Sequence, residues 1–149
     1  MDFNQDNAII QLCAKGMEFE GQGQLTEASQ LFNEAWNAAT TDFEKFTAAH
    51  YVARHQKSIS DKLKWDEKAL KHALQIDEET VKATLPSLYL NIAKCYEDLK
   101  DFDKAKNNYQ AAFSFTNFLP DNGYGNMIKT GINNGIGRII QKCNKMEQH

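Results

Sequence analysis

The chain has 149 residues, of which 42% are hydrophobic and 25% charged, as in an ordinary soluble domain. Its formal net charge of −3 has the wrong sign for general binding to a phosphate backbone, so we expect no nucleic-acid partner. The cysteines, Cys13, Cys95 and Cys143, are far apart and form no CxxC pair, which argues against a disulfide framework or a zinc site. We expect no cofactor.

Signals for export and membrane insertion are absent from the sequence. The first residues contain neither the basic region nor the apolar core of a secretory signal. No run approaches the roughly 20 apolar residues that a membrane span requires. We therefore expect a cytoplasmic protein with no membrane partner.

The segment 8–40 predicts two amphipathic helices joined by a short turn. Apolar and small residues recur there at helical spacing, with glycine or alanine where two helices would cross. The positions that carry this pattern are Leu12, Gly16, Phe19, Gly23, Leu25, Ala28, Phe32 and Ala35.

The segment 42–77 predicts a second helix pair with a longer turn. Thr41 and Glu44 have the spacing of a capping box, and Ser60-Asp61 resembles the next N-cap. Two faces compete on the helix that follows: one consists of Leu63, Leu70 and Ala73, and the other of Trp65, Ala69 and Ile76. The register of this helix stays open.

The segment 85–118 shows the strongest pattern. Thr84 can cap a helix, and Pro86 falls in the first turn, where its missing N–H costs nothing. Asp101 can cap the following helix. The two apolar stripes comprise Tyr89, Ile92, Ala93, Tyr96 and Leu99, and then Phe102, Ala105, Tyr109, Ala112 and Phe113. So short a link predicts that the two helices lie antiparallel.

One more amphipathic helix is predicted over 124–143, after a turn at 121–125. Gly131, Gly135 and Gly137 interrupt its isoleucine stripe. A phosphate-binding loop would follow a strand, which is missing here, so close helix packing explains these glycines better.

The pattern over 85–118 resembles the tetratricopeptide repeat at every spacing, and the segment 8–40 matches it position by position, with Gly16 for Ala93 and Phe32 for Tyr109. The resemblance implies an all-α fold, a right-handed α-α superhelix of about three helix pairs plus a C-terminal capping helix. We expect residues 1–149 to form one such domain, with a polar outer face on the last helix.

No catalytic site is predicted. His50 and Cys95 lack a third group to orient them, and the carboxylates of Glu97-Asp98 are expected at a solvated helix end. A basic stretch near Trp65 is interleaved with acidic residues and is expected to form an exposed turn.

The resemblance implies that the inner faces of the first helix of each pair (the A helices) line a concave groove for a protein or peptide partner. Residues assigned to this groove by motif are Cys13, Met17, Glu20, Thr47, Tyr51, Arg54, His55, Leu90, Lys94, Glu97, Asn134 and Arg138. We expect a non-catalytic scaffold or adaptor. The alternatives are a sensor of a short signalling peptide and a homo-oligomerisation module, such as a homodimer.

Overall fold

The computed structural model describes residues 6–147, and every regular element in that range is helical. This confirms the all-α, helical-repeat class expected from the sequence. The chain divides into two compact units, one ending at Glu78 and the other beginning at Glu79. That residues 1–149 act as one array with a right-handed curl stays a proposal.

The first unit contains four helices: α1 (Ala8–Gly21), α2 (Leu25–Ala38), α3 (Asp42–Ala53) and α4 (Ile59–Ala73). Each of α1, α3 and α4 begins at a side-chain cap, because Asn7, Thr41 and Ser58 accept hydrogen bonds from free backbone N–H groups of the first turn. The Thr41 cap is the predicted capping box with Glu44. The predicted cap at Ser60-Asp61 is wrong by two residues, since Ser58 takes that role.

The second unit contains α5 (Glu79–Lys82), α6 (Leu85–Asp98), α7 (Phe102–Ser114), a 3₁₀ turn (Thr116–Phe118) and α8 (Gly123–Glu147). Pro86 lies in the first turn of α6 as predicted, and Asp101 caps α7 through its side chain. The prediction that Thr84 caps α6 is wrong in its chemistry. Its hydroxyl donates backwards to the Val81 carbonyl at the end of α5, a helix that the sequence analysis missed.

The α1–α2 and α6–α7 turns are built alike. In the first, Gly23 has a φ of 77°, the Gln24 N–H donates to the Phe19 carbonyl, and the Gly23 N–H donates to Glu20. In the second, Lys100 has a φ of 65° and the same two backbone bonds form from Asp101 and Lys100. Both turns are therefore Schellman caps, which need one residue in the left-handed region.

Small residues let the helices approach closely, as the repeat pattern predicts. Ala28, Ala35, Ala93, Ala105 and Ala112 are fully buried. On α4 the buried residues are Leu63, Asp66, Ala69 and Ala73, so the core takes residues from both faces that had competed in the sequence. Leu99 and Phe113, predicted to lie on apolar stripes, are instead 42% and 55% exposed.

Candidate partner-binding groove

The predicted groove residues of the first unit come together where the end of α1 meets the end of α3. The Glu20 carboxylate accepts a hydrogen bond from the Arg54 guanidinium at 3.2 Å and lies 2.7 Å from Nε2 of His55. The guanidinium of Arg54 also lies over the Tyr51 ring, 5.3 Å from its centroid. These four side chains form one connected cluster, which we call the Glu20–Arg54 cluster.

The aromatic side chain of Phe32, on α2, packs against this cluster. Phe32 is fully buried, and the Tyr51 ring stacks on it with centroids 5.0 Å apart. The His55 ring packs on the same Phe32 at 5.4 Å. Because Phe32 is packed in the core, its ring helps to hold the rings of Tyr51 and His55 in place.

The other predicted residues of the first unit differ in exposure. Met17 is 46% exposed and is available to a partner. Cys13 and Thr47 are buried, and the Thr47 hydroxyl donates to the Phe43 carbonyl. Burial raises the pKa of the Cys13 thiol to about 11, so this sulfur stays protonated and apolar at neutral pH.

In the second unit, Glu97 of α6 is the centre of the predicted residues, and it is buried. Its carboxylate accepts from the Tyr109 hydroxyl at 2.6 Å, from Nε and Nη2 of Arg138 at 2.9 and 3.1 Å, and from Lys142 at 2.9 Å. The expectation of a solvated helix end at Glu97 is therefore wrong. Its neighbour Asp98 is the exposed member of the pair and binds Lys94 at 2.6 Å.

Charge assistance keeps this buried carboxylate ionised. Burial by itself would raise the pKa of Glu97, but hydrogen bonds from Arg138, Tyr109 and Lys142 outweigh it and lower the pKa to about 2. Burial and the Glu97 carboxylate raise the pKa of Tyr109, and the hydrogen bond to Glu97 raises the pKa of Arg138. Arg138 is thus held by an internal partner, although its side chain is 41% exposed.

Leu90, Lys94 and Asn134 complete the predicted set. Leu90 packs against the core formed by α6, α7 and α8, where its methyl groups lie beside Gly131. Lys94 and Asn134 are exposed. Leu90 therefore supports the helices, and the two polar side chains are open to solvent.

The two units carry the same arrangement with different chemistry. Glu20 and Glu97 hold matching positions in the predicted repeat pattern, as do Phe32 and Tyr109. The hydroxyl of Tyr109 donates to its glutamate, whereas Phe32 has none to donate.

In both units an arginine donates to the carboxylate. Arg54, at the end of α3, donates to Glu20, and Arg138, on α8, donates to Glu97. The sequence analysis missed Lys142, although it lies four residues after Arg138 on α8 and so shares its helix face.

No group of three or more metal-ligating side chains is found in the part of the chain that the structure describes. Nor does any of the described helices combine the length and apolar character needed to cross a lipid bilayer.

The fold and these clusters define a helical-repeat protein with side chains presented along its A helices. Comparison with known families identifies the repeat: the tetratricopeptide repeat model matches residues 86–117. The chain therefore contains a tetratricopeptide repeat formed by α6 and α7, which confirms the resemblance. None of the curated proteins and none of the solved structures matches the chain. That residues 8–40 and 42–77 are further repeats stays a prediction.

Proposed function

We propose that this protein is a non-catalytic scaffold that binds a protein or peptide partner through the A-helix surface of its first unit. Tetratricopeptide repeats generally mediate protein interactions, and the match at residues 86–117 supports this class of function. More specifically, we propose that the protein acts as an adaptor in the cytoplasm.

The observation that carries the proposal is the position of Arg54. Its side chain is 46% exposed, although Glu20 binds one edge and Tyr51 supports one face. A guanidinium has five donors in a rigid fork, so donors that Glu20 does not use remain open to a partner's carboxylate. Because the side chain is already held, binding costs little conformational entropy.

The partner expected at this site is a peptide with a carboxylate beside an apolar side chain. The carboxylate pairs with Arg54, and the apolar side chain packs on Met17, which is 46% exposed. Glu20 rejects a second acidic group placed close to it, since like charges repel. The preferred ligand thus carries a single acidic group at that position.

A peptide-display selection on the immobilised protein tests this proposal. Arg54→Ala is the test variant, and Lys15→Ala, which removes an exposed charge from α1, is the matched control. We expect selected peptides to bind Arg54→Ala about 10-fold or more weakly, as for a lost charge-assisted hydrogen bond, and Lys15→Ala normally. Equal binding to all three proteins would refute the assignment to Arg54.

The Tyr51→Ala variant is less suitable for this test because it also removes the stack on Phe32.

Self-association is the alternative to binding a different protein, and light scattering on the same samples measures it. A dimer that dissociates in Arg54→Ala but not in Lys15→Ala would make a second copy the partner.

A further inference from the structure

A second cluster of aromatic and basic side chains lies on the surface of the first unit, on helices α2, α3 and α4. The rings of Trp36 and Trp65 meet edge to face with centroids 5.1 Å apart, and the His72 ring lies 6.2 Å from Trp36. The Lys68 ammonium lies 4.0 Å from the Trp65 ring and 5.6 Å from Trp36, and the Lys45 ammonium lies 5.7 Å from Trp36. We call these five residues the tryptophan–lysine patch.

The charge of the patch is positive. Neither the Lys45 nor the Lys68 ammonium forms an ion pair with a carboxylate among residues 6–147. The acidic neighbour Asp42 is bound to Nδ1 of His72 at 2.8 Å. Asp61 lies on the same side of α4, one turn before Trp65.

Two further lysines extend the positive surface along α4, the helix that stands where an exposed turn was expected near Trp65. Lys64 and Lys71 are exposed and lie within one turn of Lys68 on its helix face. On α2 the polar residues three residues before and one residue after Trp36 are the uncharged Asn33 and Asn37. The exposed Glu67 lies within one turn of both Lys64 and Lys71 and offsets part of their charge, so Lys45 and Lys68 carry the positive character of the patch.

The two lysines are held in place before any partner arrives. A cation over an indole face gains attraction from the ring, and its chain loses part of its freedom in the free protein. Each ammonium keeps N–H donors that the ring does not use. Pre-organised donors of this kind favour binding of carboxylates, because less entropy is lost when the complex forms.

We propose that the tryptophan–lysine patch binds an acidic segment of a partner protein, whose carboxylates pair with Lys45 and Lys68. This surface shares no residue with the Glu20–Arg54 cluster, and the inference does not depend on that cluster. A nucleic acid fits less well, because the Lys68 ammonium already lies over the Trp36 and Trp65 rings on which its bases would stack.

The chain contains two tryptophans, and both belong to the patch, so intrinsic fluorescence reports on this surface directly. The probe is a short peptide of alternating Glu and Ser, compared with a peptide in which Gln replaces Glu. We expect a saturable change in tryptophan emission with the Glu peptide at low salt and no saturable change with the Gln peptide.

Matched variants assign the effect to individual lysines. Lys68→Gln and Lys45→Gln should each weaken binding of the Glu peptide about five-fold, the upper range for one partly exposed ion pair. Lys15→Gln changes the net charge equally but lies on α1, and it should bind as the wild type does. Far-UV circular dichroism verifies that each variant is folded, and Lys68→Arg should retain binding because arginine also stacks on indole.

Three results would overturn the proposal. One is the absence of saturable binding of the Glu peptide. Another is an equal loss in Lys15→Gln and Lys68→Gln, which would make net charge the cause. The third is displacement of the peptide by a single-stranded oligonucleotide that binds more tightly, which would make the patch a nucleic-acid surface.

Discussion

Replacing Glu97 by glutamine tests whether its buried carboxylate stabilises the second unit. The substitution keeps the size of the side chain but removes the charge that Arg138 and Lys142 share. The pKa of Glu97 is lowered from 4.5 to about 2 in the folded protein. At 1.36 kcal/mol per pH unit, this difference corresponds to about 3 kcal/mol of stability at neutral pH.

The sign of the pH dependence follows from the direction of the shift. Because the folded pKa is below the unfolded one, the contribution of Glu97 is fully present above about pH 5 and is lost as the pH falls towards 2. The wild type and Glu97→Gln should therefore differ most at pH 7 and converge in acid. Taking the difference between the two proteins cancels the titration of every other carboxylate.

The assay is urea unfolding followed by far-UV circular dichroism between pH 2 and 7. Both tryptophans lie in the first unit, so their fluorescence serves as a control for that unit. Hydrogen exchange of peptides from α6, α7 and α8 then shows whether the loss of stability in Glu97→Gln lies in the second unit.

Asp98→Asn is the matched substitution next in sequence, on an exposed ion pair with Lys94, and it should cost less than about 1 kcal/mol. A Glu97→Gln protein as stable as Asp98→Asn at pH 7, or one with an unchanged pH profile, would refute the reasoning.

Two further predictions concern glycines. A Cβ at Gly135 would overlap the ring of Tyr109, whereas Gly137 on the same helix has open space, so Gly135→Ala should be less stable than Gly137→Ala by about 1–3 kcal/mol in urea unfolding. Lys100 occupies the left-handed position that Gly23 holds in the first unit, so Lys100→Gly should raise, and Gly23→Lys lower, the free energy of unfolding by about 1 kcal/mol each. Equal stabilities of the Gly135→Ala and Gly137→Ala proteins would contradict the first explanation. Lys100→Gly and Gly23→Lys proteins that are both as stable as the wild type would contradict the second.

The sequence predicted the helices well because their signals are local. Helical spacing of small and apolar residues, the Thr41 capping box and the turn after Asp98 depend on neighbours within a few residues. The same locality explains the errors. Ser58 and Ser60 are both good caps by residue type, but it is Ser58 that accepts the hydrogen bond from the Asp61 N–H and begins α4.

The site was less predictable because burial depends on distant partners. Glu97 is followed by Asp98 and looks like part of an exposed acidic helix end in the sequence. Its burial depends on Arg138, which lies 41 residues further along the chain. The contact between Trp36 and Trp65 across α2 and α4 is likewise invisible until the helices are packed.

The two matched glutamates explain why the predicted groove residues are not equivalent. In the second unit, Tyr109 adds a hydroxyl, and Gly135 leaves room for the ring that carries it, so Glu97 is buried and its arginine is committed to it. In the first unit, Phe32 offers no donor, and Glu20 remains partly exposed with Arg54 stacked on an aromatic ring at the surface.

A partner can compete for the Arg54 guanidinium at the cost of a partly solvated ion pair. Competing for Arg138 would leave a buried carboxylate without its main counterion, which is strongly destabilising. The same spacing of residues thus yields an adaptable cation in one unit and a structural one in the other. For this reason, we place the binding function on Arg54 and the stability prediction on Glu97.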